Sequence, residues 1–220
     1  VTISFPLLMP TKVFTRSRFK IVAPTTRTRL KSSATFGTAI GAQGWLAEIT
    51  TRPLMRDEQG AWLAFFDSLR GGVYSCLLYN PNKEYPLKYK FTGFLGLKIA
   101  GTTDNFEGMS SILNKRDART ISLNRLPPAF VLSTGDHVGV IKENRYSLHR
   151  VQQDAIANSN GIIYDLSVEP SLSDFFGAGS DVTVYQAKCE FTVDDESVSG
   201  DDETAAPHAI SFTAMSRPSI

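Results

Sequence analysis

The sequence predicts a mainly β chain, a β-sandwich or barrel-like domain with one helix (about 54–70) packed on the sheet. Three observations carry that expectation. Short apolar runs recur about every eight to twelve residues with turn residues between them, the spacing of all-β sandwiches and barrels. Only Thr51–Tyr79 holds a helical stripe: Trp62, Phe65, Phe66 and Leu69 fall at i, i+3, i+4 and i+7. Glycine and proline, 16 and 11 residues, punctuate the rest. At 220 residues the chain has room for one large β domain, 1–220, or for that domain with an inserted β lobe, for which 81–165 is the candidate stretch.

Residues 1–50 read as strands. Ile3–Leu8 is apolar, Thr11–Val22 alternates around basic residues, and Thr25–Ile40 continues in that style. Arg16, Arg18 and Lys20 share one face because strand side chains repeat every two residues, and Arg27, Arg29 and Lys31 do the same. Such faces are wet or meet acid, since unpaired arginines are almost never fully buried. A strand at Trp45 follows Gly37, Gly41 and Gly44. In the helix, Pro53 suits a first turn, and Asp57 and Glu58 stand where the dipole favours negative charge. Gly71-Gly72 supplies a left-handed stop, and Val73–Tyr79 reads as a buried strand. Asn80–Lys90 is a connector, Phe91–Ala100 a strand broken by Gly93 and Gly96, and Gly101–Gly108 a turn.

Short strands then follow at Arg119–Leu123, Phe130–Leu132, Val138–Ile141, Tyr146–Val151 and Ile162–Val168. Glu143-Asn144 and Ser159-Asn160-Gly161 are the hairpin turns between them. The loop Ser171–Asp181 carries Phe175-Phe176, which must pack under the sheet or on a neighbour. A strand Val182–Val193, an acidic loop Asp194–Pro207 and a last strand near Ile210–Met215 complete the expectation.

The formal net charge is +1, which gives no support to bulk nucleic-acid binding. The charges are segregated, however. Seven bases and no acid lie between Val1 and Ala47, and seven acids and no base between Glu190 and Glu203. Complementary blocks that meet across a subunit contact fix register and steer assembly more than they add affinity. The candidate interface residues are therefore Arg16, Arg18, Lys20, Arg27, Arg29, Lys31, Phe175, Phe176, Asp194, Asp195, Glu196, Asp201, Asp202 and Glu203. A solvated acidic loop is the plain alternative for the last six.

No catalytic, cofactor-binding or metal-ligating set is legible, so the expectation is a protein that is not an enzyme and needs no cofactor. His137, His149 and His208 are scattered, without zinc-ligand spacing. Asp136 and His137 are neighbours, and in an extended strand they point to opposite faces. Gly108–Ile112 lacks the second glycine of a nucleophile elbow. Gly177-Ala178-Gly179 has two of the three dinucleotide-loop glycines and no helix after them. In the acidic run, Val198 stands where a calcium loop needs oxygen. The two cysteines, Cys76 and Cys189, read as buried free thiols of a reducing compartment. No run approaches the roughly 18 apolar residues of a spanning helix. The opening VTISFPLLMP does not read as a leader, so a soluble protein assembled in a cytoplasm is the expectation.

Trp45 in GWLAEIT, then Trp62, Phe65, Phe66 and Ser68-Leu69-Arg70-Gly71 leading into an apolar strand, resemble the middle of the distal tail and minor tail proteins of siphophage tail tips. A second match runs through Gly135-Asp136, Leu148-His149-Arg150-Val151, Asp154-Ala155 and Gly161 to a strand ending on Pro170, with His137 where that family more often has an aromatic. The two cover roughly half of the chain, as strand and turn residues. The resemblance implies a β-sandwich ring subunit, usually hexameric, that continues a phage tail tube and receives hub or fibre proteins. DNA would meet it only in transit, no membrane would be a partner, and its place would be the virion tail, assembled in the host bacterial cytoplasm. A carbohydrate-binding β-sandwich module is the alternative, with Tyr85, Tyr89 and Phe94 as its aromatic platforms.

Overall fold

The computed structural model describes residues 5–10, 14–29, 35–39, 41–200 and 207–217, with backbone alone for 27–29 and 35–39. Strand takes 46% and helix 11%, so the mainly β class with one packed α-helix holds. In chain order the elements are β1 Leu7–Leu8, β2 Phe14–Val22, β3 Thr25–Arg29, β4 Thr35–Ala39, β5 Gly44–Thr51, α1 Arg56–Leu69 and β6 Cys76–Tyr79. Two 3-10 turns, Pro81–Lys83 and Leu87–Tyr89, lead to β7 Met109–Asp117, β8 Thr120–Asn124, β9 Val131–Leu132, β10 His137–Lys142 and β11 Arg145–Val151. The remaining strands are β12 Ala155–Ile156, β13 Ile163–Glu169, β14 Asp181–Thr183, β15 Lys188–Ser199 and β16 Ser211–Ser216. The chain divides into two compact units; of the described residues, one takes 5–10 and 75–190, the other 14–74 and 191–217.

In the second of these units, β15, β16, β5 and β2 lie side by side, all antiparallel. Strand β5 alternates strictly, with Trp45, Ala47, Ile49 and Thr51 buried, the period of a sheet packed on one face. The inner face is covered by α1: the Trp62 ring lies 5.8 Å from Phe212 of β16, and Phe66 lies 5.2 Å from the same ring. Trp62, Phe65, Phe66 and Leu69 are all buried, as the stripe predicts. Pro53 stands outside the helix, not in its first turn, because the helix begins at Arg56. Its start is held by Glu58, which accepts from the Met55 N–H at 3.0 Å and pairs with Arg52 at 2.8 Å. This is the reciprocal half of a capping box. Glu58→Ala should therefore cost about 1 kcal/mol in a denaturant titration. The left-handed stop begins one residue earlier than the glycines, at Arg70 (φ 49°). Val73 is 66% exposed, and the strand expected from there starts only at Cys76.

In the other unit, β10, β11, β13, β8, β7 and β14 close into a barrel with every neighbouring pair antiparallel. Ile121, Leu123, Val138, Val140, Val151 and Leu166 fill it, all fully buried. Glu143 and Asn144, both at positive φ (48° and 60°), make the two-residue turn between β10 and β11.

Three further expectations change. Phe91–Ala100 is a succession of turns, not a strand; Gly93 and Gly96 take φ 58° and 79°, outside any strand geometry. Val182–Val193 breaks into β14 and β15, because Thr183 Oγ1 ties off a turn by accepting from Tyr185 N–H at 3.2 Å, followed by Gln186 at φ 45°. Asp194–Ser199 extends β15 instead of forming a loop, with a register shift against β16 between Asp194 and Ser199.

Candidate functional site

The candidate residues fall on several surfaces. Arg16, Arg18 and Lys20 point outward from β2, alternating with the buried Phe19. The two arginines meet the first acid of the chain: Glu48 of β5 lies 3.9 Å from Arg16 and 3.5 Å from Arg18. Exposed pairs of this type contribute about 0–1 kcal/mol, so they orient the arginines more than they stabilise the sheet. The register continues the row, Arg18↔Glu48↔Thr213↔Asp194. Residues directly opposite share a face. One outward sheet face therefore carries base on β2 and acid on β15. Arg27 and Arg29 lie on β3, paired with Gly37 and Thr35 of β4. Lys31, Asp201, Asp202 and Glu203 lie outside the described residues.

Asp194, Asp195 and Glu196 are exposed and make no ion pair with a described residue. The two phenylalanines part company. Phe176 is fully buried in the barrel core, so the packing under the sheet applies to it. Phe175 is half-buried, with Lys142 Nζ 4.8 Å and the Arg145 guanidinium 5.0 Å from its ring centre. A ring clamped by two cations is already largely satisfied.

The two histidines most displaced from ordinary behaviour sit in the barrel. Burial, reinforced by Lys83 and Arg150, pushes His137 down to about 3. Burial pushes His149 down to about 4, partly offset by the Pro170 carbonyl, which accepts from Nδ1 at 2.7 Å. Asp136 is held above the usual carboxylate range by burial, although it accepts from Leu87 N–H at 2.9 Å and Ser133 N–H at 2.8 Å. Lys83 donates to the Gly135 carbonyl at 2.5 Å. Together these bonds strap the 81–89 segment to the β9–β10 turn. Asp136 thus serves two backbone donors, a role that its place beside His137 hides in the sequence. Cys76 and Cys189 are buried free thiols, and burial pushes Cys189 up to about 12, far from thiolate chemistry at neutral pH. Among the described residues no three His, Cys, Asp or Glu side chains gather as metal ligands.

The aromatic platforms of the carbohydrate alternative are engaged internally. Tyr89 stacks on Phe130 at 4.6 Å, and Phe94 packs on Phe106 and Tyr85 at 5.1 and 5.3 Å. What sequence reading missed is the outward side of that segment, where Leu87, Phe91 and Leu95 are 65%, 94% and 93% exposed. Neither a protein-family model nor a curated protein matches the chain.

Proposed function

We propose that the chain is a structural subunit of a phage tail tip, a ring at the distal end of a long non-contractile tail tube that joins the tube to hub or fibre proteins and lets the genome pass. The observation that carries this reading is where the resembling residues fall. Trp62, Phe65, Phe66 and Leu69 form the buried side of the helix, packed on an antiparallel sheet, and Trp45 lies on the buried face of that sheet against Phe19. The second set, from Gly135 to Pro170, runs through three strands of the barrel. The outward sheet face adds a reason for assembly, since base and acid sit on different strands of one face. A closed ring needs two different patches that meet head to tail.

Negative-stain images of the purified chain test the reading: closed rings with a central hole are expected. Raising salt from 0.05 to about 0.5 M should slow their formation, because complementary charge acts chiefly on encounter. A chain that stays monomeric at high concentration and is missing from virions would overturn the proposal.

A further inference from the structure

Two surface features serve neither core. The first is the tip of the segment 87–99. Tyr89, Phe94, Leu97 and Ile99 pack toward the barrel core, while Leu87, Phe91 and Leu95 between them face water. Gly93 and Gly96, at positive φ, are where the backbone reverses to divide the apolar side chains in this way. Single exposed leucines are ordinary, but three large apolar side chains on one short turn form a patch of the type that marks an interface. Lys88, Lys90 and Lys98 surround it, all exposed. The one acid of 81–100, Glu84, is occupied by Gln186 at 2.7 Å and Tyr185 at 3.1 Å.

The second feature is an apolar cavity of about 410 Å³ where the ends of β2, β5 and β16 meet. Val22, Pro24, Trp45 and Met215 wall it, and Gln43 lines it with a side-chain oxygen that is buried and has no hydrogen-bond partner among the described residues. Its volume falls at the small end of ligand-sized clefts, about 300–1,000 Å³. Met215 is opposite Thr192 of β15, and Asp194 stands two residues along that strand, about 7 Å away. Asp195 and Glu196 follow.

We propose that this cavity seats the Phe91–Leu95 tip of a second copy of the chain, with Lys88 and Lys90 of the incoming tip against Asp194, the acid on the outward face. The inference rests on the ring reading and names its two patches. Apolar surface meets apolar surface, the unpartnered Gln43 oxygen gains the chance of a backbone N–H from the glycine turn, and basic rim meets acidic strand. Lys20, two residues from Val22, and Arg217, next to the lining Ser216 and donating to Thr192 Oγ1 at 3.0 Å, both repel the tip's lysines, so Asp194 is the acid that orients the docking tip. The contact joins different patches on the two copies, the type that propagates around a ring.

Mass photometry of the full chain tests it with two variants that leave the core alone. Phe91→Ser/Leu95→Ser removes the tip, and Ala42→Trp, at an exposed lining position, blocks the mouth. Each alone should raise the concentration needed for assembly by about tenfold or more, with an unchanged circular dichroism spectrum. Mixed in equal amounts they should form one-to-one pairs and stop, because each retains one intact patch. Lys88→Glu/Lys90→Glu should likewise fail alone and recover when mixed with Asp194→Lys. Variants that assemble as the parent does would overturn the inference and leave the ring reading standing. Pairs from the mixture, with open chains of variable length from the parent, would keep the inference and remove the ring. A parent that is monomeric throughout removes both. Phe91-dependent binding to phosphatidylglycerol vesicles with assembly untouched would make the tip a lipid contact and overturn the inference.

Discussion

Taking the pH from 7 to 4 is expected to destabilise the barrel by several kcal/mol, read as a falling urea midpoint. The cause is a pair of histidines kept neutral in the interior. His137 is 3% exposed and faces Lys83 and Arg150; His149 is 1% exposed, with Lys115 nearby. Folded, they take a proton only near about 3 and about 4, against 6.5 when unfolded. Above 6.5 both states are neutral and the full stability is present. As the pH falls below 6.5 the unfolded chain binds protons that the folded chain refuses, and stability drains toward the folded values. At about 1.36 kcal/mol per unit, the loss by pH 4 is on the order of 3 kcal/mol for each histidine. Asp136 works the other way, since a carboxyl raised by burial is relieved on protonation. Asp117, Asp154 and Asp174 are lowered from 3.8, so their losses only begin at the acid end of this window and fall mostly below it. His149→Gln retains an N–H for the Pro170 carbonyl and cannot titrate; it should remove about half of the acid loss. A midpoint that stays level from pH 7 to 4 would refute this account.

Period and punctuation made the frame of both units legible. Trp62, Phe65, Phe66 and Leu69 lie on a full helical stripe, and β10, β11 and β13 are apolar runs bounded by turn residues. Strand β7 escaped because one of its inward positions is Ser110, buried with its hydroxyl donating to the Asn124 carbonyl at 2.7 Å. A polar residue satisfied by a partner fourteen positions away breaks alternation in any window short enough to scan. The 91–100 stretch failed in the opposite sense. Its apolar residues read as a strand, whereas only Phe94, Leu97 and Ile99 pack inward and Phe91 and Leu95 face water. The bonds that decide this, Leu97 N–H to the Phe94 carbonyl at 3.0 Å and Phe106 N–H to the Leu97 carbonyl at 2.9 Å, are tertiary choices of a glycine-punctuated chain. The acidic block was legible as composition. Its position across one sheet face from Arg18 required the register of four strands.

Trp62→Ala should cost about 3–5 kcal/mol, while Gly60→Ala, two residues away on the same helix, should add about 0.5–1 kcal/mol. Trp62 is 1% exposed and is the hub of an aromatic cluster, with Phe14 at 6.0 Å and Phe65, Phe66 and Phe212 each at 5.8 Å. Removing the indole leaves a cavity bounded by rings already packed on one another, Phe66 on Phe65 at 5.4 Å and on Phe212 at 5.2 Å. Partial collapse is all that such a frame permits, so the loss includes a cavity cost beyond the transfer of the ring. Against a usual total of about 5–15 kcal/mol, that is enough to leave the unit marginal. Gly60 is on the solvent side of the helix, with nothing within 4 Å of an added Cβ and no positive φ. A methyl there only narrows the unfolded ensemble. The opposite signs, measured by guanidinium denaturation, separate packing from helix propensity. A Trp62→Ala loss under about 1 kcal/mol would mean that α1 does not anchor the sheet, and the ring subunit reading would then lose the residue at the centre of its resemblance.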